Sequence, residues 1–325
     1  MTASAPATAP AWKLMARSIR RTVRRTRNRI RRASVILLYH RVAAGFPDPW
    51  SLCVSPANFR DQMAVLATRG TRPLDAVADG AGLRAPVVTF DDGYADFQGA
   101  ALPVLRAHGI PVTLFVTTGT LGGGSEFWWD ELERILAVTP LPESLFIEVG
   151  REPFSWRFST DGDRRALYHA LHQRIGRLTG AVRAGMLSDL RTWAGTDAGC
   201  RATHRPLTTA ELVAVGREPG VQIGAHTVSH SYLGALGPDE QRREIEDGKR
   251  ALEAIIERPV RHFSYPHGDH EPETVACVRE AGFRLACGSA RASITGEVDP
   301  FDLPRVEVPN LSGAAFARWL DEWVG

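Results

Sequence analysis

Lysine is almost missing from this 325-residue chain. Lys13 and Lys249 are the only two, so arginine supplies nearly all of the 39 basic side chains. Acidic residues are missing from the beginning: Asp48 is the first, while ten basic side chains lie between Lys13 and Arg32. Subtracting those ten from the formal net charge of +2 leaves −8, so a basic arm precedes a mildly acidic body. No apolar run approaches the roughly 18 residues of a membrane-spanning helix. The longest near the start, residues 35–39, is also too short for the core of a secretory signal. A cytoplasmic protein is expected. The four cysteines, Cys53, Cys200, Cys277 and Cys287, form no CxxC pair or finger spacing, which argues against a disulfide or zinc-finger framework and for buried thiols. With 44% hydrophobic and 23% charged residues, the chain is no disordered polymer.

Residues 1–11 are rich in Ala, Pro, Thr and Ser and read as unstructured. Over 12–32, Trp12, Met15, Ile19, Val23 and Ile30 recur at or near helical spacing between arginines. That pattern predicts a basic amphipathic helix, either packed on the body or attached peripherally to the anionic inner face of a membrane. Nothing downstream resembles a base-reading module, so no nucleic-acid partner is expected. The arm is assigned to 1–33 and a single domain to 34–325.

Within that domain strand and helix patterns alternate. Strands are predicted at 34–40, 86–92, 110–119, 221–227, 283–288 and 301–309, and a strand running into a loop at 260–268. Helices are predicted at 55–70, 99–109, 208–215, 238–256, 273–282 and 312–324. The helix at 55–70 buries Phe59, Met63 and Leu66 and ends at Gly70; the one at 238–256 buries Ile245, Leu252 and Ile256. Between about 121 and 204 the alternation breaks into an insertion, with a turn-rich stretch at 140–163 and a helix at 163–178. About seven strand–helix units predict a parallel sheet, closed into a barrel or doubly wound.

Chemistry concentrates at two strand ends. "VVTFDDGYADF" (87–97) is a buried strand that runs into the adjacent carboxylates Asp91 and Asp92, each making the other costlier to ionise. A helix N-terminus would account for one of them. "GAHTVSH" places His226 and His230 four apart, a spacing that lets two imidazoles reach one ion. An Asp from another strand end would complete two histidines and a carboxylate with open positions, the arrangement of a catalytic ion. One of the Asp pair then binds the ion and the other remains as general base. Gly93 permits the sharp turn that brings both to one side.

At these motifs the chain resembles the polysaccharide deacetylases (carbohydrate esterase family 4, which includes the rhizobial nodulation-factor deacetylase). "TFDDGY" (89–94) is similar to the family's first motif, "HTVSH" (226–230) to its second and "FSYPHG" (263–268) to a variant of its third. "LLYHRV" (37–42) and "FWWDELE" (127–133) resemble the exopolysaccharide- and capsule-biosynthesis members. The resemblance covers roughly residues 34–320.

It implies a distorted (β/α)7 TIM-like barrel, with a long insertion after the third strand, that hydrolyses N-acetyl groups of an N-acetylated glycan. Asp91 would be the general base, and Asp92, His226 and His230 the ligands of Zn2+, or of a related divalent ion such as Co2+ or Ni2+. The developing oxyanion would be held by the metal and a backbone N–H, that of His267. His40, Tyr94 and Tyr265 would line the substrate cleft. Trp128 and Trp129 either stack on sugar rings or pack in the core. Two departures stand out. The third-motif Arg that orients the catalytic Asp is replaced by Ser264, so Arg305, or secondly Arg261, would have to supply that charge. No late L-x-H follows Phe301, so His267 would have to replace it as the acid. Two other readings remain: hydrolysis of another amide or ester, and a catalytically weak glycan-binding barrel.

Overall fold

The runs ILLY, VVTF and VTLFV are buried at every position, as expected of parallel strands covered on both faces. The computed structural model describes residues 22–29, 33–78, 85–122, 124–158 and 162–324. Its strands in chain order are β1 (Ile36–Tyr39), β2 (Arg41–Val42), β3 (Cys53–Val54), β4 (Val87–Phe90), β5 (Val112–Val116) and β6 (Ser144–Val149). They continue with β7 (Glu152–Arg157), β8 (Val221–Ala225), β9 (His262–Ser264), β10 (Leu285–Cys287) and β11 (Val306–Glu307). Seven form one parallel sheet in the order β10–β9–β8–β5–β4–β1–β11. A parallel bridge between Cys287 and Leu303, with the Leu303 N–H donated to the Ala286 carbonyl, ties the approach to β11 back to β10.

The ring therefore closes. Leu37 is level with Val88, Val112 and Val221; Ala225, four on, meets Phe263; Cys287, level with Ser264, meets Leu303; and Val306 returns to Leu37. The accumulated stagger is eight residues, the shear of a TIM barrel carried here by seven strands. Helices Pro56–Arg69, Leu102–Ala107, Thr209–Gly216, Pro238–Ile256 and Pro272–Glu280 separate the strands, and β10 passes to β11 without one. That is the distortion.

Local chemistry sets several of these boundaries. Ser55 caps the first helix through the Asn58 N–H, Pro56 opens it, and Gly70 at φ 73° ends it. Thr208 and Glu211 form a reciprocal capping box. The predicted inner faces are buried at Phe59, Met63, Leu66, Ile245 and Leu252, while Ile256 is only half-buried.

The insertion has more structure than its sequence suggests. It contains helices Trp128–Leu136, Asp163–Ile175 and Gly180–Ala194, with its own apolar cluster around Leu132, Leu171 and Leu190. The stretch expected to be turns holds the antiparallel hairpin β6–β7, closed over Gly150 and Arg151. Pro140, Pro142 and Pro153 disguise it; Pro153, the one inside the hairpin, is tolerated because a two-stranded sheet consists only of edges.

Of the predicted arm helix, 22–29 is helical, and 1–21 and 30–32 lie outside the described residues. Val23, expected on the apolar face, is exposed. The anchor is instead the buried Asn28, which donates to Ser293 Oγ and the Glu322 carbonyl, each at 3.0 Å. Arg24 adds an ion pair with Glu322 and lies over the Trp323 ring. All four cysteines are free, and only Cys287 is fully buried.

Candidate active site

Asp91 and Asp92 follow β4 directly, and the chain turns at once through Asp92 (φ 72°) and Gly93 (φ 91°). A left-handed Asp is strained, and such strain persists where surrounding contacts impose it. His226 follows β8. His230 ends the next turn with φ 55° and gives its N–H to Thr227 Oγ1 at 3.0 Å. All four side chains are buried, and donor atoms of Asp92, His226 and His230 lie within 4.8 Å of one another. His226 Nε2 is 3.5 Å, and His230 Nε2 3.4 Å, from Asp92 Oδ1. His226 Nδ1 sits 2.7 Å from the Ser264 carbonyl. A carbonyl can only accept, so Nδ1 carries a proton, and Nε2 is the ring nitrogen turned towards the carboxylates.

Arg305 completes the group from the approach to β11. Its Nη1 and Nη2 donate to Asp91 Oδ1 and Oδ2 at 2.6 and 2.7 Å. Nη2 also reaches Ser264 Oγ at 2.7 Å, and that hydroxyl lies 3.1 Å from Asp91 Oδ2. The residue at the third-motif position thus helps to hold Asp91 jointly with the displaced arginine. Arg261, the second choice, is exposed before the start of β9, away from the strand ends that carry the site.

These contacts set the protonation states. Burial pushes the Asp91 carboxyl up, but Arg305 and then His226 outweigh it and hold it below the usual range. Asp92 is held well below against the same burial, by the two histidines. Burial would lower His226, yet Asp91 and Asp92 raise it; for His230 burial wins and its value falls.

Above the four lies a cleft of about 580 Å³, lined by His40, Tyr265, His267 and the site residues themselves. His267 is left-handed (φ 58°), stacks on Tyr232 with centroids 3.8 Å apart, and meets His230 edge-on at 4.6 Å. Tyr265 offers only its ring, because its hydroxyl is given to the Phe301 carbonyl at 2.9 Å. Among the described residues the buried His40 Nδ1 has no hydrogen-bond partner.

Tyr94 corrects an expectation. It does not line the cleft but lies behind it, 1% exposed, with its hydroxyl between Asp130 Oδ2 (2.6 Å) and Trp129 Nε1 (2.7 Å). Trp129 takes the place at the wall, its ring 4.5 Å from that of His230, while Trp128 packs against His172. Two further cleft residues carry no signal in the sequence, Trp50 and His172, whose rings are 4.5 Å apart. Neither has a motif neighbour, and His172 reads as one more position of the insertion helix. Burial lowers His172 to about 3.

The family model for polysaccharide deacetylases matches residues 82–138 and 192–286, skipping most of the insertion. The Bacillus subtilis protein YxkH, named for a polysaccharide deacetylase, is 21% identical over 88% of this chain and 75% of its own length. A chitooligosaccharide deacetylase of Sinorhizobium fredii is 28% identical over 37% of this chain and half of its own. Among solved structures, the Streptococcus pyogenes deacetylase PplD superposes with a TM-score of 0.58 at 18% identity, covering 90% of this chain and 99% of that one. IcaB of Ammonifex degensii gives 0.55 at 20%, covering 90% and 96%. At those identities the superpositions speak for the fold, the distorted barrel closed above. The matched segments carry both the Asp pair after β4 and the histidines after β8, so the chain belongs to the polysaccharide deacetylase family.

Proposed function

We propose that the protein is a metal-dependent hydrolase that removes N-acetyl groups from N-acetylhexosamine units of a polysaccharide or its lipid-linked precursor, releasing acetate. The observation that carries this reading is the Asp92, His226 and His230 cluster beside an Asp91 clamped by Arg305. Two imidazoles and one carboxylate suit Zn2+, or Co2+ or Ni2+, and the pinned tautomer of His226 leaves Nε2 free to ligate. Bound there, such an ion would make a water acidic and stabilise charge developing on the acyl oxygen.

The chain's own residues supply the rest. Asp91 takes the proton from water, and Arg305 with Ser264 fixes the direction in which it does so. The His267 backbone N–H supports the acyl oxygen. The proton reaches the departing amine from Asp91 or from the His267 ring on the wall of the cleft. Water plus acetamide thereby becomes acetate plus a free amine.

Zinc titration of metal-stripped protein, followed by acetate release from N-acetylglucosamine oligomers, tests the reading. A tight zinc site with acetate release supports it. A site with release only from other acyl compounds means a different amide or ester. No zinc site leaves a glycan-binding barrel.

The arm extends the proposal to an anionic membrane surface. Arg27 and Arg29 are exposed on the docked helix 22–29, and each basic side chain near such a surface adds about 1 kcal/mol. Arg27→Glu/Arg29→Glu should release the protein from phosphatidylserine vesicles in a sedimentation assay. Unchanged co-sedimentation would remove the membrane from the account.

A further inference from the structure

The turn that carries His230 is clasped closely by glycines, at each of which an added Cβ would crowd it. A Cβ added at Gly119 would stand 2.6 Å from the Val228 carbonyl oxygen, and one at Gly248 3.1 Å from the Thr227 carbonyl carbon. Those two glycines belong to the barrel. From the insertion, a Cβ at Gly180 would stand 2.9 Å from Ser229 Cβ, and at Gly176 2.7 Å from the Tyr232 ring.

Polar contacts repeat the division. Glu244, on the barrel helix Pro238–Ile256, accepts the N–H groups of Val228 and Ser229 at 3.0 and 2.8 Å and the Ser229 hydroxyl at 2.6 Å. Arg183, on the insertion helix Gly180–Ala194, donates Nη2 to Ser229 Oγ at 3.0 Å and to Ser231 Oγ at 2.8 Å. Ser231 passes the chain on to the Leu178 carbonyl. His230 lies between those two serines.

Arg183 is a costly way to hold two hydroxyls. It is 2% exposed, and among the described residues its Nη1 has no hydrogen-bond partner and it donates to hydroxyls rather than directly to a carboxylate. Glu244 stands one hydroxyl away across Ser229 and the Trp128 ring lies 5.0 Å from the guanidinium, so the cost of burying this charge is only partly offset. The turn it grips contains two non-glycine residues in the left-handed region, Thr227 at φ 63° and His230 at φ 55°, a conformation that needs outside contacts to persist.

We propose that Arg183 is a positioning residue for His230, so that the insertion forms a fixed half of the socket that aims this imidazole at the ion. The inference rests on the metal reading above. Without Arg183 the serines on either side of His230 lose their common donor, and the turn is free to relax away from its left-handed form.

The test is zinc titration of metal-stripped, full-length protein for wild type, Arg183→Met, Arg183→Lys and Ser231→Ala, with the visible spectrum of each Co2+-loaded protein and the Tm of each metal-free one. Zinc affinity should fall about tenfold or more in Arg183→Met. It should recover in part in Arg183→Lys, and the cobalt bands should shift in both Arg183→Met and Ser231→Ala. If Arg183→Met fails to fold, Ser231→Ala, which removes the hydroxyl between Arg183 and the Leu178 carbonyl but no charge, decides by the same two readouts. A lowered metal-free Tm with wild-type zinc affinity and cobalt spectrum would mean Arg183 only holds the insertion on, and would overturn the proposal alone. No zinc binding by the wild type would overturn the metal reading and this inference with it.

Discussion

Arg305 and Asp91 meet as a two-pronged pair, guanidinium nitrogens 2.6 and 2.7 Å from the two carboxylate oxygens, both side chains almost fully buried. The pair fixes the plane of the carboxylate as well as its charge, which a point charge does not do. Arg305→Met should therefore lower acetate release about a hundredfold or more, and Arg305→Lys should restore only part of it. Removing one partner of a buried pair costs about 3–5 kcal/mol, so Tm should fall as well. Zinc affinity, read by calorimetry, should stay within a few-fold, because Arg305 touches none of the proposed ligands.

The two adjacent carboxylates should separate cleanly. Asp91→Asn is expected to abolish acetate release while keeping the zinc site, and Asp92→Asn to lose zinc first and activity with it. The converse pattern in paired titration and acetate assays would exchange the two roles.

Asp130 makes stability depend on pH. Burial pushes its carboxyl up to about 7, against the Tyr94 hydroxyl, Arg41 and Arg201, and Glu126 adds to the rise. In the unfolded chain it ionises near 3.9. The folded state thus holds the proton more tightly, and stability intact below about pH 4 is lost as pH climbs to about 7. Asp130→Asn keeps an acceptor for Tyr94 and removes the titration. Its Tm advantage over wild type should widen from pH 5 to pH 8; a constant difference across that range would refute the assignment.

Gly119 touches the backbone of the histidine turn. A Cβ there meets the Val228 carbonyl oxygen at 2.6 Å, and backbone cannot swing aside as a side chain can. Gly119→Ala should destabilise by about 1–3 kcal/mol in urea unfolding. Gly99→Ala, where nothing lies within 4 Å, is the control and should leave the unfolding midpoint near that of wild type.

Much of the site is legible in the linear order of residues. His226 and His230 share one turn, and Asp91 and Asp92 are neighbours, so their proximity is a local property that spacing reveals. The caps at Ser55 and Thr208 are local too, and both helices start where the sequence places them. The hairpin β6–β7 escapes such a reading because Pro153 within it, like Pro140 and Pro142 just before it, looks like a turn residue until its edge position is known. Tyr94 misleads because an aromatic beside a motif reads as a cleft residue, while its partner Asp130 belongs to the insertion.

The sequence by itself determined the alternation of strand and helix and the two motif turns at strand ends, with Asp91 beside Asp92 in one and His226 four before His230 in the other. Each depends on residues a few positions apart. Only the closed tertiary structure decided that Arg305 rather than Arg261 reaches Asp91, that Ser264 joins them, that Trp50 and His172 enter the cleft, and that Arg183 grips the turn around His230. Those contacts span tens to more than two hundred residues. They depend on the stagger at which seven strands close, and on how the insertion packs against the strand ends. Neither leaves a periodic trace in the chain.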